Sequence, residues 1–272
     1  MNKTVVYILS SSHSGSTLLD LILSSNSEAS SLGEFFQVPR KFKDKKVICK
    51  LCGHDCIYWN NFRKHLKKYK GRKYHDAAFD LFKTPILIDS SKNMKWIKEK
   101  TRSKNVNVKI IKITRYGLAT LLKKRKSSGV TEGSIKGWVK SNKKIDSFMS
   151  KFNKSERLFV KYEDLCASPS DVIGRCCEFI GMPYEDDMLD FWKTKHHITG
   201  GNSKPICMVR LYHKTMKLED MQPDVVDFFE RNGFSLKLDT RFTERFSASE
   251  VELFNRIAGK FCESYGYDNE IN

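Results

Sequence analysis

No apolar stretch of this 272-residue chain approaches the roughly 20 residues needed to span a bilayer. The first one, Val5 to Leu9, is too short for a secretory leader, so the chain is expected to be cytoplasmic and to have no membrane partner. Without secretion, its eight cysteines do not suggest a disulfide framework. Internal repeats and disordered linkers are also missing. Acidic residues are the minority: 32 Asp and Glu stand against 49 Lys and Arg, a formal net charge of +17. Such a balance suits an anionic ligand and says nothing about fold. Lysine is spread along the whole chain, which makes most of that charge a property of composition. No nucleic-acid-binding motif accompanies it, so no nucleic-acid partner is expected.

What is present is an alternation of short apolar runs with helical patterns. Val5–Leu9, Ile86–Ile88, Val106–Ile113 and Leu158–Tyr162 read as buried strands. Ile135, Val139, Phe148, Met149 and Phe152 mark one helix. Val172, Ile173, Cys176, Phe179 and Ile180 mark another, opened by Ser168-Pro169 and closed by Gly181. Ser249 with Glu252 offers a capping box to a C-terminal helix. The pattern predicts an α/β fold, a P-loop-like parallel sheet flanked by helices in a single domain over residues 1–272. Residues 37–75 are basic, contain cysteine and are only weakly periodic, so they read as an insertion, which would lie on the acceptor side of a site. Ligands in such sheets bind beyond the carboxyl ends of the strands. The polar clusters at 10–17, 89–92 and 114–115 all fall at that edge.

The loop Ser11-Ser12-His13-Ser14-Gly15-Ser16-Thr17 follows the first strand and opens a helix. Exposed N–H groups and the helix dipole make such a place an anion site. The loop is not a Walker A sequence: Ser10 stands at its first glycine and Ser16 at its lysine. That weakens a kinase or NTPase reading, as does the lack of an obvious acidic magnesium ligand after a strand.

His13-Ser14-Gly15-Ser16-Thr17-Leu18-Leu19 resembles the 5'-phosphosulfate loop of sulfotransferases that use PAPS (3'-phosphoadenosine 5'-phosphosulfate) as donor. Thr114-Arg115-Tyr116-Gly117-Leu118-Ala119 is similar to that family's strand-end arginine segment, which binds the 3'-phosphate. Val160-Lys161-Tyr162-Glu163-Asp164-Leu165 looks like the segment whose tyrosine lies at the adenine. His196 to Lys204 resembles the late loop that closes over the nucleotide, with one glycine more than its usual spacing. Together these pieces imply a PAPS-dependent sulfotransferase of the bacterial, glutamate-base kind, with PAP as product and no metal required. The resemblance implies donor contacts from Ser12, His13, Ser14, Gly15, Ser16, Thr17, Arg115, Lys123, Tyr162, Gly201, Asn202 and Lys204. Two positions depart from the family: His13 stands where a lysine or arginine is usual, and Lys123 where a serine is.

Glu34, in Gly33-Glu34-Phe35-Phe36, resembles the family's catalytic glutamate, and Leu32, Phe35 and Phe36 would strip water from it as a general base. Lys92 ends Asp89-Ser90-Ser91-Lys92, which resembles a segment supplying a cation to the developing charge. Asp89 or Ser90 in that segment also suits a helix cap. His13 completes the expected catalytic group, with His196 and His197 as further bases to consider. Cys49, Cys52, His54 and Cys56 are of zinc-ligand type, but the spacing of Cys52 and Cys56 is too tight for a usual two-knuckle site, and no metal is expected. The expected activity is sulfonate transfer to a hydroxyl or amine of a small-molecule or glycan acceptor. The other readings are a P-loop-type kinase and a non-enzymatic binder of polyanions.

Overall fold

Five strands form one parallel sheet: β1 (Thr4–Leu9), β2 (Ala29–Gly33), β3 (Ile86–Asp89), β4 (Asn107–Thr114) and β5 (Arg157–Lys161), in the order β2-β3-β1-β4-β5. They are seen in a computed structural model that describes residues 3–44, 49–69, 74–100, 106–122, 129–240 and 242–267. β1 sits at the centre and every one of its residues is buried. Its side chains alternate between two layers, as a strand covered on both faces must. Val6 and Ile8 join the cluster built on helix α1 (Ser16–Leu23) and on Pro169–Ile180, whereas Val5, Tyr7 and Leu9 meet Phe35, Trp59 and Phe62.

The four strands expected from the sequence are all present, each within a residue or two of the predicted bounds. β2 is the fifth. Its sequence, Ala29-Ser30-Ser31-Leu32-Gly33, has no apolar run to mark it, and pairing with β3 supplies the order that composition does not. In the described part of residues 37–75, Val38, Trp59 and Phe62 are fully or almost fully buried and pack into one layer. The helix Pro169–Ile180 ends at Gly181 with φ of 86°, as its sequence requires. The C-terminal helix, Ala248–Glu263, is capped by Ser247 with Glu250 and not by Ser249 with Glu252. Both pairs satisfy the same three-residue spacing; only Ser247 has the extended backbone a cap needs.

At the carboxyl edge, β1, β3 and β4 run into residues 10–17, 89–92 and 114–115, so the three polar clusters share one rim. Two buried acids tie this rim together. Asp20 on α1 accepts a hydrogen bond from Ser90 Oγ at 2.6 Å. Its other oxygen has no partner among the described residues. Asp89 at the end of β3 accepts from Ser91 N at 3.0 Å and from Trp96 Nε1 at 2.9 Å, and lies 3.0 Å from His75 Nε2. It therefore braces the strand end and caps no helix. The helix that follows, Met94–Lys100, is capped by Asn93, whose Oδ1 accepts from Trp96 N at 3.0 Å.

Burial pushes the Asp20 carboxyl up to about 7, against the nearby Ser90 and Ser31 hydroxyls that pull it down and with Asp89 adding to the rise. A raised acid favours folding in its protonated form, so this contribution is fully present below about pH 4 and is lost as pH rises through about 7. Three pH units correspond to at most about 4 kcal/mol. Denaturant titrations of Asp20→Asn, which keeps the shape without the charge, are expected to lack this fall in stability between pH 4 and 8. Parallel curves for the two proteins would show that Asp20 is not the group responsible.

Candidate functional site

The loop after β1 turns on two residues in the left-handed region, His13 with φ of 65° and Gly15 with φ of 94°. At Gly15 the turn leaves no room: a Cβ there would lie 2.4 Å from the Tyr162 ring. A side chain is thus excluded by conformation and by space. Ser14 is fully buried and its Oγ lies 2.8 Å from Ser11 Oγ, which pins the loop from below. Ser16 and Thr17 are buried in the first turn of α1, and Ser12 is exposed at the tip. No side chain caps α1, so its first N–H groups and the positive end of its dipole point at the loop.

Arg115 and Tyr162 stand opposite this loop. Arg115 is buried at the end of β4, with its guanidinium carbon 4.5 Å from the centre of the Tyr162 ring. Its Nη2 donates to the Asp239 carbonyl at 3.1 Å, and its Nε has no partner among the described residues. Burial holds the Tyr162 hydroxyl far above its ordinary range, so it stays protonated. Glu163 next door accepts from Tyr116 N and Tyr267 Oη, each at 2.9 Å, and so fixes the chain that carries Arg115. Lys204 lies over the Phe228 ring, with its ammonium 3.9 Å from Asp239 Oδ2. His13, Gly15, Thr17, Arg115, Tyr162, Asn202 and Lys204 line one cleft together with Asp239. No local sequence pattern marks Asp239 or the role of Glu163. Lys123 lies outside the described residues.

Glu34 and Lys92 come from β2's end and β3's end and form an ion pair, Nζ to Oε1 at 2.9 Å. Both are about one-fifth exposed. The Lys92 ammonium also reaches Ser16 Oγ at 3.4 Å, so it sits between the candidate base and the first turn of α1. Gln37 Nε2 donates to the second oxygen of Glu34. Lys92 is itself in the left-handed region, with φ of 55°. A non-glycine residue held there is strained, and such strain persists where the surroundings over-determine it. The apolar setting expected for Glu34 is present on one side only: Leu32 and Phe35 are fully buried, while polar partners face the carboxylate.

The late loop joins the two halves. Thr199 Oγ1 donates to the Leu32 carbonyl at 2.6 Å, and Asn202 N donates to Thr17 Oγ1 at 2.9 Å. Between them, a Cβ on Gly200 would meet Glu34 at 2.8 Å and one on Gly201 would meet Thr17 at 2.7 Å. The additional glycine is therefore required by a second close approach. Neither of the other candidate histidines reaches the cleft. His196 is buried beside Ser24, Ser25 and the Phe191 carbonyl, where burial lowers its pKa to about 4 and keeps it neutral. His197 turns the other way, toward Cys52 and Cys56.

Residues 137–199 match the family model described as the sulfotransferase domain. That stretch contains Tyr162 and ends in the late loop; the first loop, Glu34, Lys92 and Arg115 lie outside it. No curated protein matches the sequence. Two solved structures share the fold over nearly their full length. One is the sulfotransferase domain from the curacin biosynthetic pathway, 18% identical, with 98% of each chain covered and a TM-score of 0.53. The other is the sulfotransferase domain from the Synechococcus PCC 7002 olefin synthase, 17% identical, covering 98% of this chain and 96% of that one, with a TM-score of 0.53. Over nearly its full length the chain shares the α/β fold of these two sulfotransferase domains, and its residues 137–199 match the sulfotransferase domain model.

Proposed function

We propose that the protein is a PAPS-dependent sulfotransferase that moves a sulfonate group to a hydroxyl or amine of an anionic small-molecule or carbohydrate acceptor. One observation carries the reading: a single cleft gathers the uncapped start of α1, a buried arginine stacked on a tyrosine, and a lysine from the late loop. These groups fit a nucleotide with two separate phosphate positions. The small-residue cradle at Ser14–Thr17 suits the 5'-phosphosulfate, and Arg115, with its unpartnered Nε, suits the 3'-phosphate. The Tyr162 ring offers a face to the base.

PAPS, when bound, supplies a sulfonate activated by a phosphate leaving group. Glu34 is positioned to take the acceptor proton as the new S–O bond forms, with Gln37 and the backbone at Gly200 fixing its carboxylate. Lys92 balances the Glu34 charge at rest and stands within reach of Ser16, where the transferring group would be held. His13 lines the same cleft and would contribute an N–H. For the acceptor, Lys92 also lines a second, open cleft with Lys95, Lys98, Lys144 and Lys151, beside Phe36 and Phe148. A cleft with that many ammonium groups favours an anionic acceptor through steering and local concentration.

Calorimetry with PAP in magnesium-free buffer tests the donor site. Micromolar binding is expected for the wild type, and Arg115→Ala is expected to weaken it at least tenfold; no binding without magnesium, but binding of ATP with it, would point to a kinase. Glu34→Gln is expected to lower kcat by roughly a hundredfold to ten-thousandfold while PAP affinity stays within about twofold. Activity retained in that variant would remove Glu34 from the mechanism. Lys92→Gly relieves the left-handed backbone and is expected to keep or slightly raise Tm, yet to lose about a hundredfold or more in kcat. A parallel loss of Tm and kcat would make Lys92 a structural residue instead.

A further inference from the structure

Four side chains that the proposed reaction does not use converge on one point. The ligand atoms of Cys49, Cys52, Cys56 and His197 all lie within 4.8 Å of one another. His197 Nδ1 is 3.3 Å from Cys52 Sγ and 3.4 Å from Cys56 Sγ. A tetrahedral zinc with Zn–S of about 2.3 Å and Zn–N of about 2.05 Å sets S···N edges of about 3.6 Å and S···S edges of about 3.8 Å. The observed nitrogen–sulfur spacings of 3.3 and 3.4 Å are close to that edge. None of the three cysteines is disulfide-bonded.

The surroundings are those of a metal site. Cys52 N donates to Cys49 Sγ at 3.3 Å, a backbone bond that orients and stabilises a thiolate. Gly53, with φ of 68°, allows the tight reversal in which Cys49 and Gly53 pair across the turn. The imidazole of His197 is held from behind by the Tyr58 ring, stacked at 4.0 Å and 22°, and its carbonyl accepts from Trp59 Nε1 at 2.9 Å. Cys49 and Cys56 are buried, His197 is half-buried and Cys52 faces solvent, so a path of entry exists. The fourth ligand is not the neighbouring His54, which is exposed on the same loop. It comes from a residue 145 positions after Cys52. That is why the spacing of the cysteines alone argues against a metal.

We propose that Cys49, Cys52, Cys56 and His197 form a structural zinc site. Three thiolates and one imidazole select zinc by softness and tetrahedral geometry, and four protein ligands leave no open position for chemistry. The compactness of the cluster suits one ion; the ligands of an iron–sulfur cluster sit farther apart, on the separate irons of a cubane. The role follows from the next residues. Lys50 N donates to the Ile198 carbonyl at 2.8 Å, and Thr199, Gly200 and Gly201 then pack on Leu32, Glu34 and Thr17. The metal would fix the root of the late loop to the 49–59 segment and so position the loop over Glu34.

Elemental analysis of the full chain, produced with zinc in the medium and purified reduced without chelator, is expected to find about one zinc per chain. Cobalt substitution is expected to give the strong visible bands of tetrahedral thiolate-bound cobalt. His197→Gln and Cys52→Ser are expected to lose most of the metal, whereas His54→Gln keeps it. Removing zinc with a chelator is expected to lower Tm, and adding zinc back to restore it. Zinc far below one per chain in the wild type, or a His197→Gln variant that retains both zinc and its chelator response, would overturn the site. Since Cys52 is exposed, its serine variant is the one least exposed to folding failure, and chelation of the wild type needs no variant at all. PAP calorimetry on the same samples keeps this result separate from the fate of the donor-site reading.

Discussion

The whole rim depends on one close approach of main chain to main chain and side chain, made possible by missing Cβ atoms. Gly33 lies under Thr199, Gly200 lies on Glu34 and Gly201 lies on Thr17, each with less than 3 Å to spare for a β-carbon. Through these contacts a loop whose Asn202 lies 185 residues after Thr17 becomes part of the N-terminal site of the first helix. Gly33 and Gly201 also have positive φ, so both backbone freedom and lack of bulk are used there. Where the loop lies fixes where Asn202 meets Thr17 and where Lys204 enters the cleft of Arg115 and Tyr162, and it presses Glu34 into the orientation in which Lys92 and Gln37 can reach it.

A second regularity is that the cleft cations are already answered by the protein. Lys92 pairs with Glu34, Lys204 faces Asp239, and Arg115 donates to the Asp239 carbonyl. The net charge of +17 is therefore a poor guide to the electrostatics of the site, because a charge in contact with a counter-charge is felt only weakly at a distance. An anionic nucleotide, as proposed for this cleft, would exchange one set of partners for another and would not fill a bare positive hole. The left-handed backbone at His13 and Lys92 belongs to the same economy of position: both residues are held where an unstrained chain would not put them.

Much of this was legible in the sequence, and the reasons it was or was not are physical. β1, β3 and β4 are buried on both faces, so they read as apolar runs, and the polar residues at their ends mark the rim directly. The first loop was legible because small residues are needed there. β2 was not, since an edge strand of serines takes its order from its neighbour. Asp20 and Asp89 are buried acids whose partners lie 70 residues away or on another helix, and no local pattern announces them. Glu34 and Lys92 were singled out separately from their segments; that they touch depends on β2 and β3 pairing in register with a shift between Ser31 and Gly33. The spacing of the cysteines does not reveal the four-residue cluster, because local spacing can count only local ligands and His197 lies 145 residues after Cys52.

The cysteine–histidine cluster bears on the loop that joins the two halves of the site. A glycine-rich segment has high conformational freedom when unfolded, and ordering it is costly at about 1–2 kcal/mol per residue. Close packing at Gly200 and Gly201 gives shape but no strong bond. The loop is instead anchored at both ends: Asn202 by Thr17, and His197 by the cysteine cluster together with Trp59 and Tyr58. Four residues lie between those anchors. Fixing the ends of so short a span leaves little freedom to lose on closing. A metal at the first anchor would therefore act on Glu34, the proposed base, at a distance and through backbone geometry, while taking no part in the chemistry.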